Sequence, residues 1–513
     1  MGLNKDQEKV VYSNSSKILC LAGAGTGKSF TLLERINRLI DEGTSPDSIL
    51  ALTFTNAAAR EMADRFKRKY NKGGLQPKFC TFHAFCYSLI VSDKAIREKI
   101  GYSKVPMICI EAVLKRITTE AEQATGITKD DEPKSLADKK QQEILKKYIR
   151  KQLIERNMIT FDIMCSEVCQ LFIDNDDLVK YYHDKYTNIF IDEFQDTDEL
   201  QWNFAKSFKH SNILIVGDTL QAIYGFRGAD DSIIKSLCTD KDWDVFRLPC
   251  NYRSDKEIVE YANDFSEYAD ESYRVTMDYV NDGGVVKDKT YSDYERQNSM
   301  ILENIQENKD TAILARTNKE VYHIQQLLKS NGIDFRNNHT TPNSIGIDLC
   351  KSIDNVEYAV DWLASFLSKD IYNDFLRESL LTPVEDQTKL LSRFMSDNKT
   401  LATMYRHYNQ LMKYDGDIEK ITKYLVYDVH TSSRILGECE DLSDIIEILE
   451  TNSDDDTPIY VGTIHSVKGL EFDNVIVTGV NTKVFNLDYD DNKNLFYVAV
   501  TRAKHDLTVL RRA

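Results

Sequence analysis

Short apolar runs recur along the chain. Each is followed by a polar or glycine-bearing turn and then by the three-to-four-residue spacing of an amphipathic helix. In the first half the runs are Ile18–Leu21, Ile49–Phe54, Phe79–Phe82, Asn188–Ile191 and Asn212–Val216. Runs that are apolar throughout, rather than alternating, predict strands buried on both faces, as in a parallel sheet between layers of helix. Ligands of such sheets sit beyond the carboxyl ends of the strands, so the residues just after each run are the ones to inspect. Between about Val91 and Asp184 the alternation stops, and Ser135–Arg156 predicts one long helix with Ile144, Leu145, Tyr148, Ile149 and Leu153 on one stripe. A second set of runs follows: Val285–Tyr291, Thr311–Leu314, Ile459–Thr463, Val475–Val477 and Leu507–Leu510. It is interrupted by a mostly helical segment between two polar boundaries, Arg336–Ser344 and Thr451–Pro458. The pattern predicts an α/β protein with two parallel sheets, each domain carrying a helical insertion. The expected segments are 1–90 and 185–247 for the first α/β domain, with 91–184 inserted. For the second they are 248–345 and 457–513, with 346–456 inserted.

Composition narrows the class. The chain has 513 residues, enough for about three or four domains. Its 42% hydrophobic and 10% aromatic content argues against wholesale disorder. The longest apolar runs fall far short of the ~20 residues of a membrane span, and the polar start, Met1–Val10, carries no secretory pattern. Ten cysteines are scattered without a Cys-x-x-Cys pair. Cys165 and Cys169 read as core residues one helical turn apart, and the expected location is a reducing cytoplasm. With 65 Lys+Arg against 82 Asp+Glu the net charge is −17. An acidic total is compatible with nucleic-acid binding where positive charge is local. Arg60–Lys78 and Lys139–Arg156 supply local positive charge, although each taken alone reads better as a solvated helix face.

The strand Lys17–Leu21 runs into Ala22-Gly-Ala-Gly-Thr-Gly-Lys-Ser29 and then a helix. Against the pattern G-x-x-x-x-G-K-[ST], Ala22 replaces the first Gly, while Gly27, Lys28 and Ser29 match. Small residues such as Gly23, Ala24, Gly25 and Thr26 let backbone N–H groups close round phosphate oxygens, and the helix N-terminus adds partial positive charge. Lys28 is expected on the β/γ-phosphates and Ser29 on Mg²⁺. Asn188-Ile-Phe-Ile-Asp-Glu193 supplies the metal-holding acid, Asp192, and a second acid, Glu193, to orient and deprotonate the attacking water. Two adjacent acids after a phosphate loop favour an NTPase that hydrolyses over a kinase.

Asp192-Glu-Phe-Gln-Asp-Thr197, together with the phosphate loop, resembles motifs II and I of the UvrD/Rep/PcrA family of superfamily 1 DNA helicases. Seven further segments resemble family motifs in order: Leu3–Val10 with Gln7, Leu52–Ala59, Thr81–Phe85, Val216–Ala229, Leu248–Ser254, Gly462–Phe472 and Leu495–Ala503. The resemblance runs from residue 3 to about 510. It implies two RecA-like motor domains, ATP and Mg²⁺ as cofactors, and single-stranded DNA and single-strand/duplex junctions as partners. It also implies 3′→5′ translocation with unwinding. Gln7 is expected to read adenine, Tyr252 to stack on the base, Glu471 to lie near the ribose or phosphates, and Gln221 to sense the γ-phosphate. Arg253 and Arg502 resemble the family's arginine fingers. Ser254 to Glu257 reads as a capping box fixing a helix start just after Arg253. Phe54, Tyr224 and Phe226 match positions that offer aromatic surfaces to bases. Thr55, Asn56, His83, Arg227, Thr463 and His465 are expected on backbone phosphates or ordering those loops.

Two positions depart from the family pattern. Phe30 stands where members commonly carry an adenine-stacking Arg, and Phe226 replaces a common Trp. The insertion 346–456 is short for the family. An ATP-driven translocase that strips proteins from DNA, and a nucleotide-switched subunit of a repair or defence complex, remain alternatives to the helicase.

Overall fold

The computed structural model describes residues 2–70, 74–109, 111–130, 136–224, 231–306, 309–336, 384–394, 399–414 and 457–513, with positions 360, 363 and 420. The chain forms two compact units. One comprises Met1–Ile100, Met164–Asn337 and Asp456–Ala513; the other comprises Gly101–Ile163 and Asn338–Asp455.

Among the described residues the first unit contains a six-stranded, a five-stranded and a two-stranded sheet, all parallel. The first is built from β1 (Lys17–Ala22), β2 (Ile49–Thr53), β3 (Lys78–Thr81), β4 (Asn188–Ile191), β5 (Asn212–Gly217) and β6 (Asp244–Leu248), in the order β3-β2-β4-β5-β1-β6. β1 lies between β5 and β6, with Cys20 opposite both Val216 and Phe246. Its phosphate loop therefore leaves from inside the sheet, beside the ends of β4 and β5. The edge strand β6 is absent from the sequence reading because Asp244-Val-Phe-Arg-Leu248 is broken by two exposed polar residues and buries only Leu248, so it forms neither a continuous apolar run nor a regular alternation. Phe54 and Phe82, read as strand ends, instead fall just past β2 and β3: Phe54 lies in a bend and Phe82 begins the helix Phe82–Ser92.

Next, β7 (Cys250–Asp255) pairs in parallel with β8 (Asp278–Asn281). The second sheet comprises β9 (Val285–Tyr291), β10 (Thr311–Ala315), β11 (Ile459–Thr463), β12 (Phe472–Val480) and β13 (Ala503–Arg512), in the order β9-β13-β12-β10-β11, all parallel. Its central strands are buried on both faces. Val475 and Val477 of β12 join one apolar cluster with Leu314, while Ile476 between them joins another with Ile313. That two-sided burial is why these strands read as continuous apolar runs.

The capping box expected at Ser254 is absent. β7 continues to Asp255, which precedes the helix Lys256–Phe265 without a side-chain cap bond. Ser254 Oγ donates instead to the Ala503 carbonyl (2.6 Å), and the Asp255 carboxylate pairs with His505 Nδ1 (2.8 Å). Long-range partners on β13 outcompete the local cap.

In the second unit the helices Glu111–Thr125 and Leu136–Glu155 pack together, and Val113, Ile117, Leu153 and Met158 form a small core. Leu145 and Leu153 face inward, but Ile144 is 54% exposed, one step round the helix from the stripe assigned to it. Among the described residues no helix is long and apolar enough to cross a membrane.

Candidate functional site

The loop after β1 turns tightly enough to need glycine at two positions. Gly25 and Gly27 have φ of +67° and +81°, the left-handed region that side chains with a Cβ avoid. Space is as restrictive as conformation: a Cβ on Gly25 would lie 2.7 Å from Arg253 Cβ, and one on Gly27 2.9 Å from Gln7 Nε2. Thr26 Oγ1 closes the turn on the Gly23 carbonyl (2.9 Å). β7 docks against this loop, with Asn251 Nδ2 donating to the Ala24 carbonyl (2.8 Å) and the Tyr252 N–H to the Gly25 carbonyl (2.9 Å). Gln7 lies on the opening helix Lys5–Tyr12, in a capping box with Asn4, and donates from Nε2 to the Thr26 carbonyl (3.3 Å). Asn4 Nδ2 also donates to the Tyr252 hydroxyl (2.7 Å), so Gln7 and Tyr252 share one corner of the loop. Phe30 has a cation of its own, with Lys69 Nζ lying 4.2 Å from its ring centroid.

Lys28 and Ser29 start the helix Lys28–Asp41 and reach the acids at the end of β4. Ser29 Oγ donates to Asp192 Oδ2 (2.8 Å), and Lys28 Nζ lies 3.7 Å from Glu193 Oε1. Glu193 holds a left-handed backbone (φ 52°), an unusual conformation for a residue with a side chain and one that turns consecutive acids towards different partners. Their titration differs accordingly. Burial, reinforced by the Glu193 charge, pushes Asp192 up to about 6. Burial acts the same way on Glu193, but Lys28, Lys468, the Gln195 amide and Arg502 outweigh it and hold that carboxyl below its ordinary range.

From Glu193 a chain of polar contacts runs to Arg502, just ahead of β13. Gln195 Nε2 donates to Glu193 Oε2, and Gln195 Oε1 accepts from the Asp218 N–H (3.0 Å). Asp218 Oδ2 accepts from Gln221 Nε2 (2.7 Å), and Gln221 Oε1 accepts from Arg502 Nη2 (3.2 Å). Arg502 is only 2% exposed and is anchored through Nε on the Val498 carbonyl (3.0 Å). Burial, then the neighbouring Arg253, lowers its guanidinium to about 9. Arg253 donates from Nε to Glu471 Oε2 (2.8 Å) and from Nη1 to the Thr501 carbonyl (2.9 Å). Both arginines thus come from the second sheet's side, and Arg253 abuts the phosphate loop.

The sequence reading assigned no role to Gln195, Asp196, Asp218, Asn251 or Lys468. Asn251 bonds the phosphate loop and also accepts from the Arg253 N–H (2.8 Å), fixing that arginine's backbone. Lys468 donates to Asp196 Oδ2 and to the Gln221 carbonyl (3.0 Å), and lies 3.9 Å from Glu193 Oε2. The available signal was a charge balance: Asp192, Glu193 and Asp196 exceed what Lys28 alone neutralises. The Asp196 side chain is 1% exposed, and its Oδ1 is buried without a hydrogen-bond partner among the described residues. Removing the cation alone therefore strands a charge. Lys468→Met is expected to cost about 3–5 kcal/mol of stability, with Asp196→Asn in the same background restoring most of it. Denaturant titrations of the two singles and the double test this, and additive losses refute the coupling.

On the other face of these segments, Phe54 stacks on Tyr224 (centroids 4.9 Å apart, planes at 23°), and the His465 ring lies 6.2 Å from Tyr224. Three separate stretches of sequence converge there. Thr55 Oγ1 accepts from the Ala58 N–H (3.1 Å) at the head of the helix Asn56–Tyr70, and Asn56 Oδ1 accepts from Thr81 Oγ1 (3.4 Å). Thr463 ends β11 and is buried, so it shapes its loop. His83 stands apart from the ring cluster, in the first turn of the helix Phe82–Ser92. Phe226 and Arg227 lie outside the described residues.

The loop's chemistry fits a nucleoside triphosphate with a divalent cation. Backbone N–H groups and Lys28 suit phosphate oxygens, and the Ser29 hydroxyl with the Asp192 carboxylate is a hard oxygen pair suited to Mg²⁺. Among the described residues no group of three or more His, Cys, Asp or Glu side chains is arranged to hold a metal. Such a cation would draw its remaining ligands from phosphate and water.

Comparison with known proteins follows the same division. The UvrD/REP helicase N-terminal domain matches residues 3–107 and 93–242, and the UvrD-like helicase C-terminal domain matches residues 246–341 and 365–511. The chain is 26% identical to the "Probable DNA helicase II homolog" of Rickettsia conorii, over 99% of this chain and 92% of that protein. It is 26% identical to the protein of the same name from Mycoplasma capricolum, over 98% of this chain and 83% of that one. With the ATP-dependent DNA helicase PcrA of Staphylococcus aureus it shares 25% identity over 99% of this chain and 83% of the relative.

Proposed function

The chain belongs to the UvrD/REP helicase family, and from that premise we propose that it is an ATP-dependent DNA helicase that steps 3′→5′ along single-stranded DNA and separates duplex at single-strand junctions. The observation that carries the reading is the polar path from Glu193 through Gln195, Asp218 and Gln221 to Arg502, which ties the hydrolytic acid to a residue between the helix Asp490–Val500 and β13. Lys28 and the loop amides bind the triphosphate, Ser29 and Asp192 hold Mg²⁺, and Glu193 takes the proton of the attacking water. Bound Mg²⁺ supplies charge neutralisation at the phosphates. Arg253 and Arg502 stabilise negative charge on the transferring phosphoryl group. Tyr252, Gln7 and Phe30 receive the base, and Glu471 orients Arg253 beside the ribose side.

Because Gln221 precedes Tyr224 by three residues, a change at the γ-phosphate is passed to the Phe54–Tyr224–His465 rings. Phe54, Tyr224 and Phe226 stack on bases, with Thr55, Asn56, His83, Arg227, Thr463 and His465 contacting backbone phosphates or ordering those loops. The expected setting is a reducing cytoplasm, with a junction of single-stranded and duplex DNA as substrate. The deciding measurement is ATP hydrolysis with and without single-stranded DNA, followed by unwinding of duplexes bearing a 3′ or a 5′ tail. Stimulation by DNA with unwinding only from the 3′ tail supports the reading; hydrolysis indifferent to DNA rejects it.

Tyr224→Ala is expected to weaken single-strand affinity by roughly 1–3 kcal/mol per lost stack, and to lower unwinding more than hydrolysis. Equal loss of both activities with a lowered melting temperature would make Tyr224 a packing residue only.

A further inference from the structure

Away from the nucleotide site, three thiols meet between two neighbouring helices. Cys86 lies in the helix Phe82–Ser92, and Cys165 and Cys169 lie one turn apart in the helix Phe161–Asp174. Cys165 Sγ is 3.7 Å from Cys86 Sγ, and all three are free thiols. Cys86 and Cys169 are fully buried, whereas Cys165 keeps 6% of its surface. A disulfide needs about 2.05 Å between sulfurs, so a side-chain adjustment of under about 2 Å separates this contact from a bond.

We propose that Cys165 and Cys86 form a reversible oxidation site, in which Cys165 reacts with a small peroxide and Cys86 resolves the product as a disulfide that staples the two helices. The Cys165 thiolate attacks one peroxide oxygen, the O–O bond breaks, and hydroxide leaves, giving Cys165 sulfenic acid. The Cys86 sulfur then attacks the Cys165 sulfur. The S–O bond breaks, and the hydroxyl leaves as water with the Cys86 proton. Two electrons pass from the sulfurs to the peroxide, and a thiol reductant reverses the change by exchange.

The roles differ because the surroundings differ. Hydrogen bonds from Cys169 and Cys86, with His83 beside it, hold the Cys165 thiol well below its ordinary range. Hydrogen bonding to Cys165 raises Cys86. A slightly exposed thiol with lowered titration beside a fully buried partner with raised titration is the arrangement that separates an attacking from a resolving cysteine. Cys169 lies within the same cluster and is the alternative resolver.

The staple has a consequence for the proposed function. The helix Phe82–Ser92 follows directly from β3 and carries His83 in its first turn, so fixing it to the helix Phe161–Asp174 acts on the proposed DNA-facing segment. This consequence rests on the helicase reading; the bond itself does not.

The test treats the full chain with hydrogen peroxide, blocks remaining thiols with iodoacetamide, and maps digested peptides by mass spectrometry before and after dithiothreitol. The expected result is a reducible Cys86–Cys165 peptide, with Cys238 and Cys250, which are partly exposed, left unlinked. Cys86→Ser with Cys169→Ser should instead leave a dimedone-reactive sulfenic acid on Cys165. DNA-stimulated hydrolysis of the oxidised wild type should fall and recover with dithiothreitol, while Cys165→Ser resists peroxide. Oxidation confined to Cys238 and Cys250, with the trio still alkylated as thiols, overturns the site without using any variant. A linked peptide with unchanged hydrolysis retains the chemistry and overturns its effect on the motor.

Discussion

Glu193→Gln should still bind ATP while losing hydrolysis by a factor on the order of 10²–10⁴, the contribution of a positioned general base. The substitution preserves the shape of the side chain and its contact with Gln195 but removes the charge on which Lys28 and Lys468 converge. Single-turnover hydrolysis beside nucleotide affinity by equilibrium titration separates the two effects; a wild-type rate in the variant refutes the water-activating role. The pH dependence has a definite sign. With its folded-state titration depressed below the ordinary 4.5, Glu193 stays ionised in mild acid. Its contribution to stability is therefore complete above the unfolded value and is lost only as pH falls below that value through the depressed one. An acidic limb of the rate profile near neutrality would have to belong to another group.

Arg253→Ala should lower kcat by something on the order of 10³, the lower end for an arginine that stabilises a transferring phosphoryl group. In the wild type this side chain is held at both ends of its guanidinium, by Glu471 and by the Thr501 carbonyl, while Asn251 fixes its backbone. Such a group loses little freedom on meeting charge and so acts in the transition state rather than in binding. Arg253→Lys keeps the charge and cannot make both contacts, so it should recover only part of the loss. Unchanged kcat with a raised KM would reassign Arg253 to ground-state binding. A melting temperature equal to that of the wild type is the control for folding, because Lys504 remains beside Glu471 in the variant.

Much of this was open to reading from residues alone. Parallel strands buried on both faces are mostly apolar, so Thr311–Leu314 and Val475–Val477 announce themselves without neighbours, although the second strand extends from Phe472 to Val480 through polar residues. A phosphate loop needs small residues followed by Lys and Ser ahead of a helix, and a strand ending in two acids supplies its metal and water chemistry. These are short-range requirements, written in consecutive residues. The edge strand Asp244–Leu248 escaped for the converse reason, since its half-exposed pattern resembles a turn. Ile144 was placed inside because helical spacing fixes a stripe's position only to within about one residue.

What the sequence by itself determined is therefore the local part: which apolar runs form buried strands, which loop has the phosphate-binding pattern, and which acids and arginines are available. Tertiary structure alone decided which of these meet. It placed Lys468 against Asp196, 272 positions away, and Arg502 against Gln221, 281 positions away. It set Tyr224 on Phe54 and Cys165 beside Cys86, and it gave Ser254 and Asp255 partners on β13 in place of a local cap. Burial then separated the titration of Asp192 from that of its neighbour Glu193. Backbone propensity and side-chain spacing act over a few residues and are legible in order along the chain. Desolvation and charge pairing depend on what is packed alongside, and that is fixed only when distant segments close on one another.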